Sequence, residues 1–225
     1  MGQLALILAD SAIETIPKQI WNHPSIIKFA NSKGRKPDEL FLNRSLHHSA
    51  MLRLKDSDKR GRPDLVHHAL LAASGSPLYI QGKLDILVHT YNDYVINLGV
   101  SVRLPKSYFR FEGLLDQLYS TKRIEYKGKL LLNLKEQGFN ELIREINPSI
   151  TIGLSIIGSP SKFQEIGKEL TNYDKPVIVV GGFPRGHFTR KVLQNLDALY
   201  SIHTIPLEAH VVVARIIYEY EKQIE

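Results

Sequence analysis

The sequence predicts an α/β protein built on a parallel sheet, and three stretches between residues 150 and 206 carry that prediction. Residues 150–160 (ITIGLSIIGSP), 177–182 (VIVVGG) and 196–206 (LDALYSIHTIP) are short apolar runs that stop at glycine, serine or proline. Helical segments separate them, so they describe parallel βαβ units whose loops can converge on one edge of the sheet. Loops at the carboxyl ends of buried strands are where open α/β sheets take ligands, and Gly181 and Gly182 stand where backbone would come close to one. A dinucleotide is not expected. That fingerprint opens a helix with G-x-G-x-x-G, and residues 181–186 (GGFPRG) put Phe183 and Pro184 where the helix should begin.

In chain order, residues 3–9 form a buried strand, and residues 16–31 a helical stretch interrupted by Pro24. Residues 31–38 (NSKGRKPD) are a basic turn, and residues 41–54 a short mixed segment. Residues 55–62 (KDSDKRGR) make a charged loop closed by Pro63, which with Asp64 in the first turn starts a helix over 65–73. Residues 84–89 and 94–98 pair as strands within an elaboration of the front of the chain. Pro105 starts the next helix, which reaches Tyr119. Gly128, Gly138 and Pro148 punctuate residues 120–150, where no period stands out. The last helix, 206–222, carries Leu207, Ala209, Val211, Val212, Val213, Ala214, Ile216 and Ile217. An apolar surface that wide predicts burial on more than one side, in the core or against a second subunit.

At 225 residues, 43% apolar and 23% charged, the chain is one large domain or a domain with an extension. Cysteine is absent, which excludes disulfides and thiolate-held zinc and leaves the cytoplasm as the default compartment. No window of about 18 apolar residues exists, and the start lacks a basic n-region, so neither a membrane span nor a signal peptide is expected. His47 with His48 and His67 with His68 are adjacent pairs, which cannot both face one ligand from a helix face, so no metal site is expected.

The net charge of +6 is unevenly placed. Residues 28–64 hold ten Lys/Arg against five Asp/Glu, residues 103–135 eight against three, and residues 206–225 two against four. Such a footprint suits a polyanion, because neutralised phosphates release counterions; solubility alone is the plainer account of scattered lysines. Arg103, Lys106 and Arg110 stand at helical-face spacing beside an apolar stripe of Phe111, Leu114, Leu115 and Leu118. An amphipathic helix with solvated cations would read the same way.

In their order, IIGSP, VVGGFPRGHF and LYSIHTIPLEAHVVVARI resemble the carboxyl-terminal half of the SPOUT-class methyltransferases that modify N1 of a pseudouridine in small-subunit ribosomal RNA. That family serves ribosome biogenesis in archaea and eukaryotes. The resemblance extends through KRGRPDLVHHALL (59–71), SPLYIQGKLDILVHT (76–90) and VRLPKSYFRFEGLLDQL (102–118), and so covers nearly the whole chain. It implies a single SPOUT domain over 1–225, with an RNA-binding elaboration around 32–105. It also implies a trefoil knot that holds S-adenosylmethionine in a bent conformation, and a homodimer. By the same resemblance, Gly181, Gly186, Leu199, Tyr200, Ser201, Ile202, His203 and Thr204 bind the cofactor, while Arg62, Arg103, Lys106 and Arg110 bind an rRNA hairpin loop. The family has arginine at the position of Lys106, which keeps the charge but loses the planar fork. Asp64 orients Arg62 and is a candidate base; His203 is a candidate base by location. Ribosomal assembly proteins are further implied partners. Two other readings stand beside this one: a non-catalytic rRNA-binding assembly factor, and a nucleotide-using α/β enzyme unrelated to RNA.

Overall fold

β1 (Leu4–Ser11) is buried along its whole length, as a strand covered on both faces must be. This is a computed structural model, and it describes residues 3–224. The other strands are β2 (Leu84–Thr90), β3 (Tyr94–Leu98), β4 (Arg123–Tyr126), β5 (Lys129–Glu136), β6 (Ile150–Pro160), β7 (Pro176–Gly181) and β8 (Ala198–Ser201). Among the described residues these eight strands form one sheet in the order β4-β5-β3-β2-β1-β7-β6-β8. β2, β1, β7, β6 and β8 are parallel, and β3, β5 and β4 continue the sheet antiparallel.

Alternation along β1 divides the core. Leu4, Leu6 and Leu8 join Ile178 and Val180 of β7 under three helices, α3 (Pro63–Ser74), α7 (Phe163–Leu170) and α9 (Ala209–Ile224). Ala5, Ile7 and Ala9 join Val177 and Val179 on the opposite face, which α6 (Phe139–Ile146) and α8 (Arg190–Leu193) cover. A third cluster, with Ile20, Ile26, Leu42 and Met51 at its centre, is built by residues 16–54 around α1 (Pro24–Lys33) and α2 (Arg44–Met51). The remaining helices are α4 (Pro77–Ile80) and α5 (Tyr108–Thr121).

Several elements begin later than expected. Pro24 does not interrupt a helix but starts α1, where its missing N–H costs nothing, and His23 Nδ1 caps it by accepting from Ser25 N. Pro105 precedes α5 by three residues, because its carbonyl faces His67 Nε2 at 2.7 Å and Ser107 takes the cap position. Lys106 therefore lies before the helix, and only Arg110 of the three spaced cations is helical. α9 starts at Ala209, not Pro206, and Glu208 O accepts from Val212 N. Its buried stripe, with Val212, Val213, Ile216, Ile217 and Tyr220, packs on α3 and α7, while Ala214, Arg215 and Tyr218 face outward. The segment 120–150, left without a periodic element by the sequence, holds β4, β5 and α6.

Candidate active site

The carboxyl ends of β6, β7 and β8 converge as expected. Their loops enclose a cavity of about 540 Å³, a size usual for small-molecule sites. Leu154, Ser155 and Ile156 form one wall; residues 183–188 form the second; Ile202, His203 and residues 205–208 form the third. Leu65 of α3 and Val212 of α9 close the apolar interior. The polar side chains among the lining residues are those of Ser155, Arg185, His187, His203 and Glu208, beside the loop backbone.

The β7 loop is held from beneath. Asp10, at the end of β1 and only 2% exposed, accepts hydrogen bonds from Thr189 N (2.6 Å) and Thr189 Oγ1 (3.0 Å). Gly182 packs directly on β1: a Cβ there would lie 2.8 Å from Ser11 Cβ. In the β6 loop, Leu154 and Ser159 both pair with Tyr200, so residues 155–158 loop out and return to the same partner. Gly158 sits against that strand, where a Cβ would come within 2.6 Å of the Tyr200 backbone.

Of the residues that the resemblance assigns to the cofactor, Gly181, Gly186, Ile202 and His203 line the cavity. Gly186 has φ +96°, a conformation L side chains rarely adopt. Leu199, Tyr200 and Ser201 lie instead in β8, beside the cavity: Tyr200 OH donates to Glu169 Oε1 at 3.4 Å, and Ser201 Oγ to His203 O at 3.1 Å. Thr204 is exposed between two lining residues.

The loop 55–62 ties this cavity to its surroundings. Lys59 Nζ donates to His187 O and lies 4.8 Å from the Phe183 ring centroid, so one ammonium grips two residues of the β7 loop. Arg60 turns inward and meets Glu14 in a bidentate pair of 2.6 and 2.7 Å, with 8% and 3% of the two side chains exposed. Burial opposes the Arg60 charge, but the hydrogen bonds and charge of Glu14 outweigh it and hold the guanidinium firmly protonated.

Arg62 and Asp64 meet through Nε–Oδ1 at 2.9 Å and Nη2–Oδ2 at 2.9 Å. Burial disfavours the Asp64 carboxylate, but the bonds and charge of Arg62 prevail, so it titrates below the ordinary carboxyl range. Arg62 is correspondingly raised, first by its hydrogen bond to Asp64, with Glu208 of the cavity adding to the field. His67 stacks on Phe111 at 4.3 Å while meeting Pro105 O, and so docks the start of α5 onto α3, the helix that carries the Arg62–Asp64 pair at its start. Arg110 on α5 and Arg103 and Lys106 on the segment before it are exposed and form no ion pair among the described residues.

Sequence reasoning missed Asp10, Lys59, Arg60, Phe183 and Glu208. An acid at the carboxyl end of β1 was a local signal for Asp10; the Glu14–Arg60 pair, 46 residues apart, had none.

A three-loop cavity at the carboxyl edge of a parallel sheet, with exposed cations at the start of α3 and on and before α5, is the arrangement of an α/β protein with a small-molecule site and a basic surface. The EMG1/NEP1 methyltransferase family model matches residues 6–221. The ribosomal RNA small subunit methyltransferase Nep1 of Pyrobaculum islandicum is 41% identical over 215 residues, covering 95% of this chain and 96% of the relative. That of Thermococcus onnurineus is 40% identical over 218 residues, covering 97% and 98%. The crystal structure of Archaeoglobus fulgidus Nep1 bound to S-adenosylhomocysteine superposes with a TM-score of 0.86 at 31% identity, covering 99% and 98%. The chain belongs to the EMG1/NEP1 methyltransferase family.

Proposed function

We propose that the chain is an S-adenosylmethionine-dependent methyltransferase that modifies N1 of a pseudouridine in a hairpin loop of small-subunit rRNA during ribosome biogenesis. The observation that carries this reading is the three-loop cavity of about 540 Å³ with Leu65 in its wall, on the helix that the Arg62–Asp64 pair begins. The residues present suit the cofactor. Apolar walls and loop backbone match a nucleoside and an amino acid, Glu208 offers a negative charge to a sulfonium, and Gly186, without a side chain, brings loop backbone to the wall. The loops 181–188 and 202–208 would hold it, with Gly181, Gly186, Ile202 and His203 at the wall and Leu199, Tyr200, Ser201 and Thr204 supporting them.

When bound, the cofactor supplies an electrophilic methyl group on sulfur. What remains for the protein is placement and the fate of the N1 proton. Arg62, Arg103, Lys106 and Arg110 take the RNA, and Asp64 keeps Arg62 in one orientation. A carboxylate whose pKa is held down is a poor proton acceptor, which favours the orienting role for Asp64; His203, on the cavity wall, is the other candidate base.

The same reading includes a trefoil knot and a homodimer in the cytoplasm, with ribosomal assembly proteins as further partners. Support for the knot is the return of β6 to Tyr200 with Gly158 against the β8 backbone. Support for the dimer is the outward face of α9, where Tyr218 is 58% exposed. The RNA-binding elaboration around 32–105 contains Arg62 and Arg103. The segment with its own small core is 16–54, and β2 and β3 belong to the main sheet.

The test is to incubate the protein with methyl-labelled S-adenosylmethionine and a hairpin carrying either uridine or pseudouridine at the loop position. Label transferred only to the pseudouridine hairpin is the expected result. Tight hairpin binding with no transfer to either would turn the reading into a non-catalytic assembly factor.

A further inference from the structure

Phe109 is the most exposed of the large apolar side chains described, at 77%. It stands at the second position of α5, with Phe111 of the same helix buried at 2% and stacked on His67. At about 100° per residue, a side chain two positions from Phe111 points away from the core. Lys106 and Arg110, exposed and without ion-pair partners among the described residues, flank it, and Arg103 lies on the segment leading in. An exposed phenyl ring is poorly hydrated and serves no packing purpose here. A ring set among cations is the arrangement with which proteins hold single-stranded nucleic acid: the charges track phosphates, and the aromatic face stacks a base of any sequence.

We propose that Phe109 is a stacking platform for one unpaired base of the RNA loop, placed beside the phosphate contacts of Lys106 and Arg110. The proposal rests on the reading of this face as the RNA-binding face and adds to it a contact that is apolar and indifferent to salt. It also assigns a compensation. Lys106, just before the helix, lacks the planar guanidinium that can itself stack on a base, and the phenyl ring in the first turn of α5 supplies a flat surface beside it.

The test uses the whole protein and an RNA hairpin whose loop holds one pseudouridine. Binding is followed by anisotropy across a salt series for Phe109→Ala, Phe109→Leu, Phe109→Tyr and, as a control, Arg110→Ala. Removal of a stacked ring should weaken binding roughly 5- to 150-fold. We expect Phe109→Ala and Phe109→Leu to lose affinity within that range, Phe109→Tyr to keep it, and the salt slope to stay unchanged in all three. Arg110→Ala should instead flatten the slope by roughly 0.7–0.9. A series of hairpins with one abasic loop position each should show a position that weakens the native protein but not Phe109→Ala. Full affinity in Phe109→Leu would mean a merely apolar contact and would overturn stacking. Native affinity in all Phe109 variants, with Arg110→Ala still altering the slope, would overturn the platform while leaving the RNA face intact. No salt-dependent binding in the native protein would overturn the RNA face itself. A change of oligomeric state in Phe109→Ala, measured by sedimentation, would reassign the ring to a protein contact.

Discussion

Any side chain larger than hydrogen at Gly182 would meet Ser11, at 2.8 Å from its Cβ, whereas Arg110 projects into solvent with no ion-pair partner among the described residues. The cavity wall is made of backbone whose path packing dictates, through Asp10 on Thr189, Gly182 on β1 and Gly158 on β8. The basic rim, Arg62 at the cap of α3 with Arg103 and Lys106 before α5 and Arg110 on it, is side-chain charge that carries little of the fold's stability. Shape and stability are therefore one property at the cavity and separate properties at the rim. Substitutions should divide accordingly, with the loop 55–62 as the exception because it serves both: Lys59 holds the β7 loop and Arg62 begins the rim.

The largest effect should come from that shared loop. Glu14→Ala leaves the Arg60 guanidinium buried without its carboxylate, which typically costs about 3–5 kcal/mol. Chemical denaturation should show that loss. At temperatures where the variant stays folded, both S-adenosylhomocysteine affinity and hairpin affinity should fall. Loss of only one would mean that Arg60 anchors a single region and that the loop does not join them.

Cavity and rim then separate. Gly182→Ala should lose about 1–3 kcal/mol through overpacking against β1 and should bind S-adenosylhomocysteine poorly. Gly186→Val, strained at φ +96° by about 1–3 kcal/mol, should stay folded and likewise lose the ligand in calorimetry. Normal ligand affinity in both folded variants would remove the cofactor from this loop. Arg110→Ala should stay within about 0.5 kcal/mol of native stability and keep full S-adenosylhomocysteine affinity.

The same contrast decides what the sequence could show. The three strand-to-loop transitions were legible because a buried strand and its glycine or proline stop are local signals. The hairpin of β4 and β5 was not, although its two-residue turn is built from Lys127 at φ +51° and Gly128 at φ +74°, the left-handed pair that Asn-Gly usually announces. With lysine in the asparagine place, the signal fell silent. The start of α5 was misread for a different reason: Pro105 is a good helix starter, but its carbonyl is engaged by His67, 38 residues away. Asp10 on Thr189 and Glu14 on Arg60 depend likewise on partners that only the folded chain brings together. The rim was the more legible region, since exposed charge needs no partner to be seen. Its geometry still had to come from α3 and α5 docking through His67.

The smallest effect is the most discriminating. Arg62 and Asp64 are each more than a third exposed, at 38% and 39% of their side chains, so their mutual attraction adds little to stability, about 0–1 kcal/mol. What the pair can do is hold a long side chain in one orientation before RNA arrives, which reduces the ordering cost on binding by about 0.5–1.5 kcal/mol. Asp64→Ala should therefore weaken hairpin binding a few-fold and leave the salt slope alone, because the guanidinium is still present. Arg62→Ala should weaken it further and lower the slope by roughly 0.7–0.9. In the double variant, losses well short of additive would show that Asp64 acts through Arg62; strict additivity would mean that the carboxylate serves only the first turn of α3. Because its folded-state pKa is depressed below 3.8, Asp64 remains ionised until the pH falls through that low value. The coupling should accordingly be constant from about pH 8 to pH 5, and a coupling that titrates within that range would belong to a different partner.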